Sequence, residues 1–217
     1  LHEINPLRAN WIDKRAEVAE KTLLDVGCGG GIFSEAMAQR GAIVTGIDMG
    51  DAPLAVANLH KLESGLNIDY FKATAESFSD SNFQRFDAVT CLEMLEHVPN
   101  PASVVKACAS MTKPGGTLFF STINRNPKSY LFAIIGVEYV LKMLPKGTHD
   151  FAKFIKPSEL TSWIRDASLE LQDITGLLYN PITKNYKLSQ NDVDVNYMIS
   201  VTTVSYTHLR AHETDIN

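Results

Sequence analysis

Short apolar runs alternate with amphipathic stretches along most of the chain, and this alternation is typical of strands that alternate with helices. Several runs are almost entirely apolar, as expected for parallel strands that are buried on both faces. The runs predict seven strands, at residues 22–26, 43–47, 68–72, 86–92, 117–122, 169–178 and 193–204. Helices are predicted at 31–40, 53–63, 101–111 and 157–167. The order predicts an α/β fold with a mostly parallel seven-stranded sheet and helices on both faces.

Two segments depart from this alternation. Residues 124–154 follow the fifth predicted strand and form an insertion before the next helix. Residues 204–217 have neither helical nor strand periodicity and end in polar residues. We therefore predict one domain over residues 1–203, followed by a disordered tail that is not native to it.

Composition restricts the function classes only moderately. The chain has 217 residues, of which 45% are hydrophobic and 21% charged, as in an ordinary globular protein. The net charge of −5 argues against general nucleic-acid binding. Cys28, Cys91 and Cys108 have no metal or disulfide spacing, which favours reduced thiols in a cytoplasmic protein. No apolar run reaches the roughly 18 residues of a membrane span.

A glycine-rich turn follows the first predicted strand. The strand ends in Asp25-Val26, and glycines follow at positions 27, 29, 30 and 31. Asp48 ends the second predicted strand, about 20 residues further on, as in folds that bind a nucleotide-like ligand. In such folds the glycines let the backbone approach the ligand, and the acid accepts hydrogen bonds from ribose hydroxyls.

The details of this turn favour S-adenosylmethionine over a dinucleotide. A dinucleotide fingerprint has glycine at its first, third and sixth positions, and here Gly27 and Gly29 fit whereas the sixth position is Ile32. Glycines 30 and 31 also tighten the turn early, which suits a ligand without a pyrophosphate. Asp25 adds a carboxylate that suits the cationic amino and sulfonium groups of S-adenosylmethionine. The alternative is a tight turn in an unrelated α/β protein.

Two carboxylates and an imidazole stand together after the fourth predicted strand. They belong to the run Glu93-Met-Leu-Glu96-His97. Such a set can bind a hard divalent ion or act as a general base. A third reading is that these residues only cap the following helix, and the sequence leaves all three open.

Several longer blocks resemble known families. Residues 24–31, 45–50, 87–98 and 113–116 together resemble class I methyltransferases, which have a Rossmann-like fold. Residues 120–126, 145–150, 154–157, 179–182 and 194–198 resemble the ubiquinone-biosynthesis O-methyltransferase family. The resemblance implies methyl transfer from S-adenosylmethionine to phenolic hydroxyls of polyprenylated catechols, namely 2-polyprenyl-6-hydroxyphenol and 3-demethylubiquinol. Alternatives are another class I small-molecule methyltransferase, a nicotinamide-dependent oxidoreductase, or a non-catalytic lipid-binding subunit of a biosynthetic complex.

The resemblance also assigns residue roles. Arg8, Gly27, Asp48 and Leu92 match cofactor contacts of the family, and a guanidinium at position 8 suits the carboxylate of the methionine part. The complete predicted cofactor-binding set is Arg8, Asp25, Gly27, Gly29, Asp48, Met49, Glu76 and Leu92. Without the family, Arg8 reads as a surface arginine and Glu76 as a solvated loop acid.

The same resemblance gives more specific roles to the residues of the acidic run. Eukaryotic relatives are described with magnesium at the positions of Glu93, Glu96 and His97, so these three are predicted Mg²⁺ ligands and catalytic residues. The metal-free alternative makes His97 the base that removes the phenol proton, because a phenol with a pKa of about 10 is a poor nucleophile near neutrality.

The insertion contains an apolar stretch at residues 130–144, with Arg125, Lys128 and Lys146 around it. It is too short to span a bilayer but can lie in the interface, with basic groups toward anionic lipid. A polyprenylated substrate is found in the membrane. We therefore predict a cytoplasmic protein that contacts the bacterial inner membrane through residues 128–146, within a possible ubiquinone-biosynthesis complex. The alternative is a helix buried against its own domain.

Overall fold

The computed structural model describes residues 4–129, 151–180 and 185–204. The centre of the predicted insertion, residues 130–150, lies outside these ranges, as do residues 205–217 of the predicted tail. The expectations for these two segments therefore stay predictions.

Seven helical segments surround the sheet in the described residues. Their starts follow local chemistry: Asn100 accepts a hydrogen bond from the backbone N–H of Ser103 at 3.2 Å, and Pro101 occupies the first helical position after it. The segments are α1 (Asn5–Ala16), α2 (Ile32–Ala38), α3 (Asp51–Ser64), α4 (Ala75–Ser79), α5 (Pro101–Met111), α6 (Pro127–Ser129) and α7 (Pro157–Asp166). Two single 3₁₀ turns, Leu95–His97 and Phe151–Lys153, complete the set.

A single sheet runs through the domain in the order β3-β2-β1-β4-β5-β8-β6-β7. Its strands are β1 (Thr22–Val26), β2 (Ile43–Asp48), β3 (Ile68–Lys72), β4 (Phe86–Leu92), β5 (Thr112–Ile123), β6 (Leu169–Asn180), β7 (Asn185–Ser189) and β8 (Asn196–Thr203). The first five strands pair in parallel, and β8 pairs antiparallel with both β5 and β6. The strand order reverses between β1 and β4, which is where open α/β sheets bind ligands.

The predicted α/β architecture is confirmed, with two differences in the sheet. The described residues form eight strands rather than seven, because Asn185–Ser189 pairs with the end of β6. Its sequence, Asn-Tyr-Lys-Leu-Ser, does alternate polar and apolar residues, but the run has only five residues and is not among the predicted strands. β5 also begins at Thr112, five residues before the predicted strand at 117–122, so residues 113–116 lie within it, beside an irregularity in its pairing with β4.

The core has one layer on each face of the sheet because successive side chains of a strand point to opposite sides. Leu23 packs in the layer that contains α1 and α2, whereas Leu24 packs in the layer that contains α5 and α7. Phe119 and Phe120 on β5 divide in the same way. The central strands are thus fully covered, which explains their continuous apolar sequences. Among the described residues, no helix is both long and apolar enough to cross a membrane.

A buried carboxyl group ties together the strands beneath the glycine-rich turn. Asp25 on β1 is 3% exposed and accepts hydrogen bonds from the hydroxyls of Ser34 (2.7 Å) and Thr90 (2.9 Å). Burial raises its pKa to about 6 and nearby Asp48 adds to the rise, although the two hydroxyl bonds oppose it. Asp25 therefore links β1, α2 and β4.

The elevated pKa of Asp25 predicts a pH-dependent stability. Between pH 3.8 and about 6 the folded chain binds this proton more tightly than the unfolded chain does, so the free energy of unfolding falls as pH rises through this window. The total effect is about 3 kcal/mol, at roughly 1.4 kcal/mol per pKa unit. An Asp25→Asn variant, which cannot ionise, should gain about that much stability relative to the parent between pH 4 and pH 7.

Urea denaturation at a series of pH values measures this difference. Asp51→Asn serves as the control, because the side chain of Asp51 is 80% exposed and pairs only with Lys72 at the surface. A stability difference between the Asp25→Asn variant and the parent that stays constant from pH 4 to pH 7 would contradict the prediction.

Candidate functional site

The candidate site lies at the carboxyl ends of the parallel strands. Gly27 follows β1, Asp48 ends β2, Leu92 ends β4 and Ser121 lies near the end of β5. Because these strands are neighbours in the sheet, their ends meet at one edge. The topology therefore brings together residues that are far apart in sequence, at the reversal point between β1 and β4.

The glycines of the turn have different roles. Gly27 has a φ of +74°, and a Cβ there would lie 2.6 Å from Cγ of Met94, so only glycine fits. Gly29 also has a positive φ, of +54°, but a Cβ there would meet nothing within 4 Å. Gly29 thus borders open space, whereas Gly27 is packed against the protein.

Asp48 connects the end of β2 to the glycine-rich turn. Its two carboxylate oxygens accept hydrogen bonds from the backbone N–H groups of Gly29 at 2.9 Å and of Gly50 at 2.7 Å. The side chain is only partly buried, so each oxygen keeps a lone pair for another donor. The neighbouring Met49 is 56% exposed. Asp48 can therefore shape the turn and still accept hydroxyl groups of a ligand.

Tyr70 explains two glycines, one in the glycine-rich turn and one in β2. A Cβ at Gly46 would lie 2.6 Å from the Tyr70 ring, and a Cβ at Gly31 would collide with the Tyr70 hydroxyl. Gly31 therefore makes room for a side chain of β3. The sequence alone contained no sign of this contact, since Tyr70 follows Gly31 by 39 positions.

Arg8 is buried rather than on the surface. It lies on α1, is 6% exposed, and its Nη2 donates to Oε1 of Glu93 in an ion pair. The same Glu93 oxygen accepts a hydrogen bond from the Ser121 hydroxyl at 3.0 Å. The alternative of a solvated surface arginine is therefore wrong. Ser121 directly follows the apolar pair Phe119-Phe120 in a predicted buried strand, and this polar position is a signal that could have indicated a buried polar contact here.

Glu96 points into the protein and not toward solvent. It is 4% exposed, and Oε2 accepts a hydrogen bond from the Thr122 hydroxyl at 2.8 Å. Burial is the main cause that raises its pKa, to about 8, and the charge of Glu93 raises it further; hydrogen bonds and Arg8 lower it. The Glu96 carboxyl group is therefore mostly protonated at neutral pH.

The three members of the acidic run do not converge on one point. Glu93 faces Arg8 and Ser121, Glu96 is buried against Thr122, and His97 is exposed on the 3₁₀ turn. Within residues 4–129, 151–180 and 185–204, no group of three His, Cys, Asp or Glu side chains could hold a metal ion. In the described structure the two carboxylates of the predicted magnesium set bind protein groups and do not face one point with His97, so Mg²⁺ binding by these three residues stays a prediction.

The alternative that the residues of the acidic run only cap the following helix is wrong. The side chain at the start of α5 that accepts a hydrogen bond is that of Asn100, which binds the backbone N–H of Ser103. Glu93, Glu96 and His97 all precede this cap and belong to the end of β4 and the 3₁₀ turn.

The remaining predicted residues lie around this edge in different settings. Leu92 is half-buried and packs on the apolar layer that contains α1 and α2. Glu76 is exposed in the first turn of α4 rather than in a loop, and it accepts a hydrogen bond from the Ser103 hydroxyl. Asp25 lies beneath the turn, and both of its oxygens bind hydroxyls of the protein.

The polar groups at this edge suit a ligand in which an amino acid is joined to a nucleoside. Arg8 supplies a cation, and its buried Nε has no hydrogen-bond partner in the part of the chain that the structure describes. Asp48 supplies acceptors beside the open turn at Gly29. A cation for a carboxylate and acceptors for ribose hydroxyls are what S-adenosylmethionine requires.

Comparison with known proteins agrees with this geometry. Residues 3–176 match a family described as a methyltransferase domain. The chain is similar over 199 residues to the ubiquinone biosynthesis O-methyltransferase of Saccharophagus degradans, with 71% identity, covering 92% of this chain and 84% of the relative. The corresponding protein of Pseudomonas paraeruginosa is 70% identical, with 92% and 85% covered.

Solved structures with lower sequence identity share the fold. A SAM-dependent methyltransferase from Methanosarcina mazei is 24% identical and has a TM-score of 0.65, over 86% of this chain and 93% of that one. Magnesium protoporphyrin IX methyltransferase from Synechocystis, solved with bound SAH, is 16% identical with a TM-score of 0.67, over 92% and 81%. These likenesses establish the Rossmann-like methyltransferase fold. With about 70% identity to curated relatives over nearly its whole length, the chain belongs to the ubiquinone biosynthesis O-methyltransferase family.

Proposed function

We propose that the chain transfers the methyl group of S-adenosylmethionine to phenolic hydroxyls of polyprenylated catechols, namely 2-polyprenyl-6-hydroxyphenol and 3-demethylubiquinol. Family membership supports the O-methyltransferase activity and the pathway. The observation that carries the proposal is the joint placement of Arg8, Gly29 and Asp48 at the carboxyl edge of the sheet. This placement gives both ends of S-adenosylmethionine a matching group.

The cofactor roles follow from what each residue offers. Asp48 accepts hydrogen bonds from the ribose hydroxyls, and the backbone at Gly27 and Gly29 allows close approach of the ligand. Arg8 binds the carboxylate of the methionine part. Leu92 contributes apolar surface at the end of β4. Met49 and Glu76, both exposed beside this edge, border the nucleoside.

The chain's own contribution to the reaction is orientation and proton removal. When bound, S-adenosylmethionine supplies a methyl group on a positively charged sulfur, with S-adenosylhomocysteine as the leaving product. His97 accepts the phenol proton, since it is the exposed member of the acidic run. Glu96 supports the turn through Thr122 and already carries a proton near neutrality. Alignment of the acceptor oxygen with the methyl group supplies much of the rate.

The polyprenyl tail of the acceptor favours action at a membrane surface. The support comes from sequence: residues 130–144 are strongly apolar, and Arg125, Lys128 and Lys146 lie at or near their ends. Residues 130–150 lie outside the described structure. We propose that this segment contacts anionic lipid and gives the active site access to membrane-held substrate.

Methyl transfer can be tested directly. The purified chain, incubated with S-adenosylmethionine and a catechol that carries a short prenyl tail, should yield a product with one added methyl group by mass spectrometry.

Asp48→Ala should weaken S-adenosylhomocysteine binding at least about tenfold in calorimetry, because charge-assisted hydrogen bonds are worth about 1.5–3 kcal/mol. Asp51→Ala, an exposed neighbour, is the matched control. A folded sample that neither binds the ligand nor forms product would refute the proposal.

The role of His97 predicts a selective loss of turnover. His97→Ala should lower kcat by about 10²-fold or more, the usual contribution of a general base, while S-adenosylhomocysteine affinity stays near that of the parent. Glu96→Gln keeps a neutral group that can bind Thr122 and should retain most activity, whereas Glu96→Ala should lose it. His60→Ala, on α3, is the matched control. Normal turnover in the His97→Ala variant would exclude this residue as the base.

Membrane contact can be tested with vesicles. The chain should co-sediment with liposomes that contain anionic lipid and much less with neutral liposomes, because basic groups flank the apolar stretch. The double substitution Ile134→Glu and Ile135→Glu should abolish sedimentation. Leu62→Glu, at an exposed apolar position on α3, controls for a general effect of added charge. Equal sedimentation of the double variant and the parent would count against the proposal.

A further inference from the structure

We infer that Glu93 is a positioning residue, which holds the Arg8 guanidinium in the orientation that receives the amino-acid end of the cofactor. The inference rests on the proposed function and deepens it. Glu93 was predicted from sequence as a metal ligand or base. Its contacts assign it a different role, since it binds a residue of α1 that precedes it by 85 positions.

The backbone of Glu93 is held in an unusual conformation. Its φ is +52°, in the left-handed region that side-chain-bearing residues rarely adopt because the conformation is strained. Ser121 on β5 compensates with two contacts. Its carbonyl accepts the Glu93 backbone N–H at 2.9 Å, and its hydroxyl donates to Oε1 of Glu93 at 3.0 Å. Backbone and side chain of Glu93 are thus both fixed by one neighbour.

Arg8 in turn depends on Glu93. A guanidinium that is only 6% exposed needs acceptors, because a buried cation without a partner is costly. Glu93 supplies a carboxylate oxygen at Nη2, while Nε is buried and has no partner among the described residues. The guanidinium is therefore held at one side by the protein and still has a donor without a hydrogen bond.

The Glu93 contact is not needed to attach α1 to the sheet. The same helix carries Arg15, which forms an ion pair with Asp173 on β6 and stacks on the ring of Trp11. Trp11 also donates to the Thr175 hydroxyl at 3.1 Å. This second attachment holds the far end of the helix, so the Glu93–Arg8 pair serves mainly to orient the guanidinium.

The structure of a ligand predicts whether its affinity depends on the orientation of the Arg8 guanidinium. S-adenosylhomocysteine has an α-carboxylate, which a correctly placed guanidinium binds strongly. 5′-Methylthioadenosine has the same nucleoside and a thioether but no amino-acid part. Loss of Arg8 orientation should therefore weaken binding of the first ligand and leave the second unchanged, whereas general damage to the site would weaken both.

Calorimetric titration of the full chain with these two ligands tests the inference. Glu93→Ala should weaken S-adenosylhomocysteine at least about tenfold and leave 5′-methylthioadenosine within about twofold of the parent. Glu93→Gln keeps an oxygen for Arg8 and Ser121, so it should restore affinity to within about threefold. Asp173→Ala, which breaks the ion pair of Arg15 on α1, is the matched control and should leave the ratio of the two affinities unchanged.

A double-mutant cycle with Arg8→Ala separates positioning from direct contact. If Glu93 acts through Arg8, Glu93→Ala should cause no further loss of S-adenosylhomocysteine affinity in the Arg8→Ala background. Additive losses would show that Glu93 acts on the ligand by itself and would overturn the inference. So would equal losses for both ligands, or parent-like affinity in Glu93→Ala.

The inference can still be tested if Glu93→Ala does not fold. Ser121→Ala removes one of the two side-chain groups that bind Oε1 of Glu93, and it should weaken only S-adenosylhomocysteine, by about threefold. An unchanged ratio of the two affinities in that variant would overturn the inference. If the parent binds neither ligand, the proposed function itself fails. If the parent binds both ligands and the variants bind them equally well, only the inference about Glu93 fails.

Discussion

The hydrogen bonds that Asp25 accepts from Ser34 and Thr90 join the three elements on which the site is built. These elements are β1, the helix α2 that follows the glycine-rich turn, and β4. The turn therefore rests on a buried polar cross-link at the point where the strand order reverses. A buried carboxyl group is costly unless it is hydrogen-bonded, and here two hydroxyls donate to it, while burial raises its pKa to about 6.

Above this cross-link, the site contains further features that lower stability in isolation. Glu93 adopts a left-handed backbone conformation, Arg8 and Glu96 are almost fully buried, and the pKa of Glu96 is raised to about 8. Hydrogen bonds from Ser121 to Glu93 and from Thr122 to Glu96 partly offset these costs, and the ion pair with Glu93 does so for Arg8. Strain and buried charge of this kind typically gather at functional sites, where orientation matters more than stability.

The comparisons separate what the fold requires from what the chemistry requires. Structures at 16–24% identity share the sheet and its helices, because burial on both faces constrains only the pattern of apolar positions. Relatives at about 70% identity share much more of the sequence, over 92% of this chain.

By itself, the sequence determined the alternation of strands and helices, the glycine-rich turn, Asp48 at the end of β2 and the family. These features are local, since each depends on the residues next to it. The tertiary structure alone decided that Tyr70 occupies the space at Gly31 and Gly46, that β7 pairs with the end of β6, and that Glu93 forms an ion pair with Arg8. Such contacts join residues up to 85 positions apart, and a periodic pattern reports only whether a residue is buried, not which distant side chain it meets.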